Sequence, residues 1–377
     1  MGRKAISSKL LYVVSHPIQY QAPLLRRISD CDDIELRVMF ERRPSDDGFF
    51  DSGFGKKISW DIPLTTGYDH IAFDSSDIAC EVARADFVWL HGWQTPIIRS
   101  VLRHANLAGV PVLMRSENCE VAMPDGRNLR GWLKRTYIRQ IFDACDVFLA
   151  IGSANRRYYL NRGVNPDTIF SMPYAIDNEA FCSSRDDKYP IFSNLTKQLA
   201  ETPNFDTRRP VVLVANKLIA RKRTDLIIRA LAQSWCPETR PNLIIVGDGH
   251  QRAELEAQAP WAIFTGFVNQ SELPAYYKLA DVFVLPSECE PWGLAVNEAM
   301  AAATPVIVST QVGCAEDLVD ENTGMIFESG NATNLATAVA ACLKDCTKMG
   351  IAAAAKINKW SFSEDIEGLR QALASFR

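Results

Sequence analysis

A rhythm of short apolar runs separated by longer amphipathic stretches constrains this chain most, and it occurs twice. LLYVVS (10–15), IELRVMF (34–40), DFVWLH (86–91), VPVLMRS (110–116) and DVFLAIG (146–152) are rich in Val, Leu, Ile and Phe, with little polar alternation. Such runs read as strands covered on both faces, the pattern of a parallel sheet. QAPLLRRIS and TPIIRSVLRHANLAG, lying between them, have helical spacing, and Gly109 ends the second. The alternation predicts a doubly wound α/β sheet.

The rhythm stops over 183–209, which is polar, and restarts with VVLVANK (211–217), NLIIVGDG (242–249), WAIFTGF (261–267), DVFVLPS (281–287), PVIVST (305–310) and GMIFE (324–328). Helices are expected over 224–234, 251–258, 271–279, 293–303 and 331–345. The predicted organisation is a first Rossmann-like domain over 1–183, a linker over 184–209, a second such domain over 210–358, and a helix over 359–377 that crosses back to the first. A chain of 377 residues suits two domains. Two doubly wound domains face to face leave a cleft, and ligands bind outside the carboxyl ends of the strands.

The formal net charge of −4 calls for no nucleic acid. LLYVV is too short for the apolar core of a signal peptide, and no apolar run approaches the length of a membrane span. The ten cysteines are scattered, with no C-x-x-C pair. Reduced thiols in a cytoplasmic enzyme are the expectation.

The chemistry concentrates in ECEPWGLAVNEAM (288–300). A strand ends, a loop carries Glu290, and a helix starting near Gly293 carries Glu298. The free N–H groups of a helix N-terminus seat a diphosphate. Glu298 lies roughly 7–8 Å farther along the helix axis. Carboxylates flanking an anion seat accept hydroxyl groups on either side of it, the layout of a nucleoside diphosphate sugar.

This stretch resembles the E-x7-E motif of retaining glycosyltransferases of family 4, which have the GT-B fold. VANKLIARKRTDLIIRA (214–230), IIVGDGHQRAEL, FTGFVNQSELPAYYKLADVFVLPS and TPVIVSTQVGCAEDLVDENTGMIF follow in that family's order, and the first domain matches more loosely. The resemblance implies that Glu290 binds the donor sugar and Glu298 the ribose. The Gly293 and Leu294 N–H groups touch the diphosphate or sugar, with Trp292 beside them. Lys217, where the family usually has Arg, and Lys222 neutralise the departing nucleoside diphosphate. Gly247 and Gly249 turn near the nucleotide, and Gly266 and Phe267 hold the base. His16, His91 and Glu117, at carboxyl ends of first-domain strands, are expected to face the donor sugar or acceptor. Glu117 stands where many relatives have His. Arg115 and Asn118 have weaker claims, and His70 and His104 read as structural. The expected partners are a UDP- or GDP-sugar and a saccharide or lipid-linked saccharide. No metal or other cofactor is expected.

RNLRGWLKRTYIRQIF (127–142) carries five basic residues and no acid. It reads either as a covering helix or as a membrane-surface helix with Trp132, Leu133, Ile138 and Ile141 on one apolar face. Two other functions stay open: a nonhydrolysing nucleotide-sugar epimerase, and a non-catalytic sugar-nucleotide-binding or scaffold protein.

Overall fold

The computed structural model describes residues 7–42, 48–51, 53–73, 78–126, 128–182 and 190–376. In chain order the strands are β1 (Ser8–Val14), β2 (Ile34–Phe40), β3 (Phe49–Asp51), β4 (Lys56–Ile58), β5 (Asp69–Ala72), β6 (Phe87–His91), β7 (Val112–Arg115), β8 (Val147–Ala150) and β9 (Ile169–Ser171). Then follow β10 (Val211–Ala215), β11 (Asn242–Val246), β12 (Ile263–Gly266), β13 (Val282–Leu285), β14 (Val306–Ser309) and β15 (Gly324–Phe327). Two compact units result. One comprises Met1–Asp46, Pro63–Ile176 and Trp360–Arg377; the other comprises Asp47–Ile62 and Asp177–Lys359.

The first unit holds a seven-stranded parallel sheet, ordered β5-β2-β1-β6-β7-β8-β9. Its central strands β1, β6, β7 and β8 are buried on both faces, where Leu, Val and Phe meet a layer of side chains on each side. The second unit holds a six-stranded parallel sheet, ordered β12-β11-β10-β13-β14-β15. In each sheet the strand order reverses beside the first strand, at β1/β6 and at β10/β13. Those reversals are where an open α/β sheet leaves room for a ligand at its carboxyl edge.

Three features depart from the expected partition. Residues 47–62, expected in the first domain, group with the second unit, where β3 and β4 pair as a small antiparallel hairpin. Part of the expected linker is a helix, Pro190–Ala200, with Leu195 and Leu199 buried. Four residues apart, these leucines give the helix one buried apolar face. The neighbouring helix Asn178–Cys182 also belongs to the second unit, where Phe181 packs edge-on to Tyr277, 5.9 Å between centroids.

The C-terminal helix, Phe362–Ala374, starts with a capping box formed by Ser361 and Glu364. Its Phe362, Ile366, Leu369 and Leu373 enter the first unit's core. Arg115 and Asp365 are both about 1% exposed and pair at 2.8 Å. Arg115 also donates to the Met172 and Pro173 carbonyls, at 3.0 and 3.2 Å. Arg115 is therefore a structural tie. Asp365→Ala strands a buried guanidinium, so the expected loss is about 3–5 kcal/mol of stability. Urea unfolding followed by tryptophan fluorescence measures it; an unchanged midpoint would show the pair to be dispensable.

Candidate functional site

In the second unit the site forms along the carboxyl edge of the sheet. β13 ends at Leu285, and the following loop is pinned to the segment after β14: Glu290 N–H donates to the Gln311 carbonyl (3.1 Å), and Gly313 N–H to that of Glu290 (2.9 Å). The helix Leu294–Ala301 begins at once, with Gly293 at φ 104°. A Cβ there would lie 3.0 Å from Leu285 Cδ2 and 3.2 Å from Val312 Cγ1, so the tight entry needs both glycine's conformation and its size. Trp292 departs from expectation. It is 3% exposed and its indole N–H donates to Asn297 Oδ1 at 3.0 Å. An indole turned inward anchors the loop.

Glu290 is buried and paired with Lys222 Nζ. Ser287 Oγ lies 3.4 Å from the same carboxylate oxygen, and Arg221 lies 3.7 Å away while donating to the Cys289 carbonyl at 2.9 Å. Lys222 is held by a short turn, Ala220–Lys222, followed by Arg223 at φ 51°. A left-handed arginine is strained. Asp225, at 3.0 Å, and Glu288, at 3.2 Å, hold it there. The RKR run thus supplies one lysine aimed at Glu290 and two arginines that fix the surrounding loops.

Glu298, partly exposed, accepts from Tyr277 Oη at 2.7 Å and Gln270 Nε2 at 3.5 Å. Burial pushes its carboxyl up to about 7, against the lowering effect of those two donors. Gly247 and Gly249 face backbone: a Cβ on them would lie 1.8 Å from the Asn216 carbonyl oxygen and 2.4 Å from that of Leu218. They let the loop after β11 cross the loop after β10, which sets the position of Lys217. Gly266, at φ 76°, follows in β12, and Phe267 leaves that strand end.

The hairpin adds residues missing from the sequence reading. Asp51 accepts from Lys217 Nζ at 2.7 and 2.9 Å, and Lys56 pairs with Asp248 at 2.8 Å. Burial alone would raise the Asp51 carboxyl, yet Lys217 and the Gly53 and Phe54 N–H groups hold it below its ordinary value. Asp51 and Lys217 lie 166 positions apart, so spacing carried no signal. Tyr277 and Gln270 were equally silent.

In the first unit, His16 follows β1, His91 ends β6, and Glu117 follows β7. His16 Nδ1 is 2.8 Å from Ser15 Oγ. His91 lies 3.3 Å from Gln21 Nε2, which is fixed by Tyr12 Oη at 2.7 Å to its oxygen. Burial first, then the charges of Arg115 and His16, push the His91 imidazole down to about 3. His91 is therefore a neutral hydrogen-bonding group at physiological pH. Glu117 accepts from Tyr20 Oη at 2.9 Å and from Tyr174 Oη. Asn118 is 3% exposed and its carbonyl accepts from Asn155 at 2.7 Å, a structural role.

The basic helix, Leu129–Asp143, also differs from expectation. Ile138 and Ile141 face the core at 0% and 9% exposure, while Leu129, Trp132 and Leu133 are 71%, 62% and 53% exposed. The helix has two apolar faces, because residues 129, 132, 133 and 137 turn away from 138, 141 and 142.

Residues 196–356 match the family model described as "Glycosyl transferases group 1". A GDP-mannose-dependent alpha-(1-6)-phosphatidylinositol monomannoside mannosyltransferase of Mycolicibacterium smegmatis is 28% identical over 244 residues, 59% of this chain and 61% of the relative. The sulfoquinovosyl transferase SQD2 of Arabidopsis thaliana is 27% identical over 282 residues, 72% of this chain and 52% of the relative. The chain thus spans between half and two thirds of the length of these relatives. The HepE protein of Anabaena, solved in complex with UDP, superposes with a TM-score of 0.74 at 16% identity, covering 98% of this chain and 100% of that one. The two parallel-sheet domains have the GT-B fold of glycosyltransferases.

The raised Glu298 carboxyl makes a pH prediction. Its folded value lies above its unfolded value of 4.5. The associated stability is therefore present below about 4.5 and lost as pH rises through about 7. Glu298→Gln removes that loss, so the variant should gain about 1–3 kcal/mol on wild type at pH 8 relative to pH 5. Urea midpoints at the two pH values test this, and an equal difference at both would refute it.

Proposed function

We propose that this chain is a retaining, metal-independent glycosyltransferase. It moves a sugar from a UDP- or GDP-sugar to a hydroxyl of a saccharide or lipid-linked saccharide. The observation that carries the reading is the grouping, at the β10/β13 reversal, of Lys222 and Glu290 with the N-terminus of the helix that bears Glu298. Breaking a glycosyl–phosphate bond develops charge on the leaving diphosphate. A fixed ammonium and a helix N-terminus stabilise that charge more in the transition state than before it. Glu298, backed by Tyr277 and Gln270, offers acceptor oxygens to ribose hydroxyls on one side of the seat. Glu290 offers them to the sugar on the other. Relatives named for GDP-mannose and sulfoquinovosyl transfer, and a structural neighbour solved with UDP, support a nucleotide-sugar donor.

The exposed stripe on the basic helix supports an acceptor presented at an anionic membrane surface. Leu129, Trp132, Leu133 and Tyr137 form that stripe. At about 100° per residue, Arg135 and Arg139 lie on one flank and Arg130 and Lys134 on the other. An apolar stripe bordered by cations fits the headgroup boundary, where indole and leucine enter the acyl edge and the cations meet lipid phosphates. No helix among the described residues is long and apolar enough to cross a membrane.

A thermal-shift panel of UDP-, GDP-, ADP- and dTDP-sugars, with and without EDTA, tests the donor. A ligand at a hundred times its Kd adds about 2.7 kcal/mol. One base should shift the melting point regardless of EDTA; abolition of the shift by EDTA would rule out metal independence. Lys222→Ala should lower kcat about 10²–10³-fold with a smaller change in donor Kd, and normal turnover would remove Lys222 from leaving-group stabilisation. Anomeric NMR of the product separates retention from inversion. Isomerised donor formed without acceptor would instead establish the epimerase. The pair Trp132→Ser, Leu133→Ser should abolish sedimentation with vesicles rich in phosphatidylglycerol while leaving the thermal shift intact; undiminished sedimentation would locate membrane contact elsewhere.

A further inference from the structure

The hairpin formed by residues 48–51 and 53–62 is anchored on the carboxyl ends of three neighbouring strands of the second unit. After β10, Lys217 holds Asp51, and its stem packs so closely on Gly53 that a Cβ there would lie 2.6 Å from Lys217 Cδ. After β11, Asp248 holds Lys56. After β12, Phe267 packs edge-on against Phe54 and Trp60, 5.2 and 5.6 Å between centroids, and the Asn269 side chain donates to the Ser59 carbonyl at 2.9 Å. This edge is where a doubly wound sheet binds its ligand.

Asp51 is the anion of this contact. Its side chain is 14% exposed and its carboxylate meets an ammonium that sits beside the β10/β13 reversal. One of these oxygens, Oδ1, also accepts from the Gly53 and Phe54 N–H groups, at 2.8 and 3.2 Å. The carboxylate therefore has a fixed place within the turn as well as on Lys217. A lysine ammonium is a point charge with three donors. Against a doubly charged diphosphate, a single carboxylate is the weaker partner.

Resting on the donor reading above, we propose that Asp51 is a resident counter-anion of the donor site. It holds Lys217 in position and gives way to the donor's diphosphate, so that donor binding loosens the hairpin from the sheet edge. Asp51 then acts as a positioning residue that sets a threshold on donor affinity. Its exchange favours phosphate-bearing ligands over uncharged nucleosides, because only an anion offsets the lost ion pair.

Calorimetric titration of wild type and Asp51→Asn with UDP, GDP and the corresponding monophosphates and nucleosides tests this. Asparagine keeps the side chain's size and its acceptor for the turn, and removes the charge. The expected result is about two- to fivefold tighter diphosphate binding in the variant, the size of a partly exposed ion pair that the ligand no longer has to break. Nucleoside affinity should be unchanged, and in a Lys217→Ala background Asp51→Asn should have no effect. A second readout is tryptic cleavage after Lys56 and Lys57, which the bound diphosphate should accelerate in wild type. Weaker diphosphate binding in Asp51→Asn, or binding without faster cleavage, would overturn the proposal while leaving the transferase reading intact. Absence of nucleoside diphosphate binding in both proteins would overturn that reading and this one together.

Discussion

A parallel sheet delivers side chains to a ligand at one edge only. Every strand runs the same way, so every strand-to-helix loop leaves from the carboxyl side and the apolar strand interiors stay buried. The site residues of each unit follow from this. Lys217 follows β10, Asp248 follows β11, Phe267 follows β12 and Glu290 follows β13. His16, His91 and Glu117 lie at the ends of three adjacent strands of the other sheet. Where the strand order reverses, the flanking helices diverge. There the helix bearing Glu298 can aim its N-terminus outward while the rest of it stays in the core.

Buried charge is managed in two ways along these edges. Lys222 meets Glu290 and Lys217 meets Asp51, so each cation has a carboxylate within direct contact. Groups lacking an opposite charge move toward neutrality instead. Burial lifts Glu298, whose donors are a phenol and an amide, and lowers His91, which meets an amide and feels the charge of Arg115. A ligand entering such a site meets ion pairs that it can exchange and neutral groups that it can hydrogen-bond. It meets few bare charges whose desolvation would oppose its binding.

The long apolar runs were legible because strands covered on both faces require them. The expected strands at 34–40, 86–91 and 211–217 overlap β2, β6 and β10. The hairpin was not legible. Its strands have three residues each, and its anchors are ion pairs and ring contacts to residues far along the chain. Direction was the second gap. Trp292 was placed at the site by its neighbours in sequence, yet Asn297 turns its indole inward. Ile138 and Ile141 were grouped with Trp132 by composition, and only packing separates the core face from the exposed one. Sequence spacing places a residue on an element, whereas the partners that orient its side chain come from other elements.

The glycines show what remains readable when side chains say little. Gly247, Gly249 and Gly293 contribute no side-chain atoms, yet a Cβ on the first two would run into backbone and one on the third would crowd Leu285 and Val312. The first two bring the loops after β10 and β11 into contact, which sets Lys217 and Asp248 side by side for the hairpin's Asp51 and Lys56. The third lets a helix start directly beneath Glu290. A substitution at any of them would shift a loop by the width of a methyl group, and with it the charge that the loop carries. Removing Lys217 would subtract one cation from the edge; crowding Gly247 would displace the loops that carry both Lys217 and Asp248.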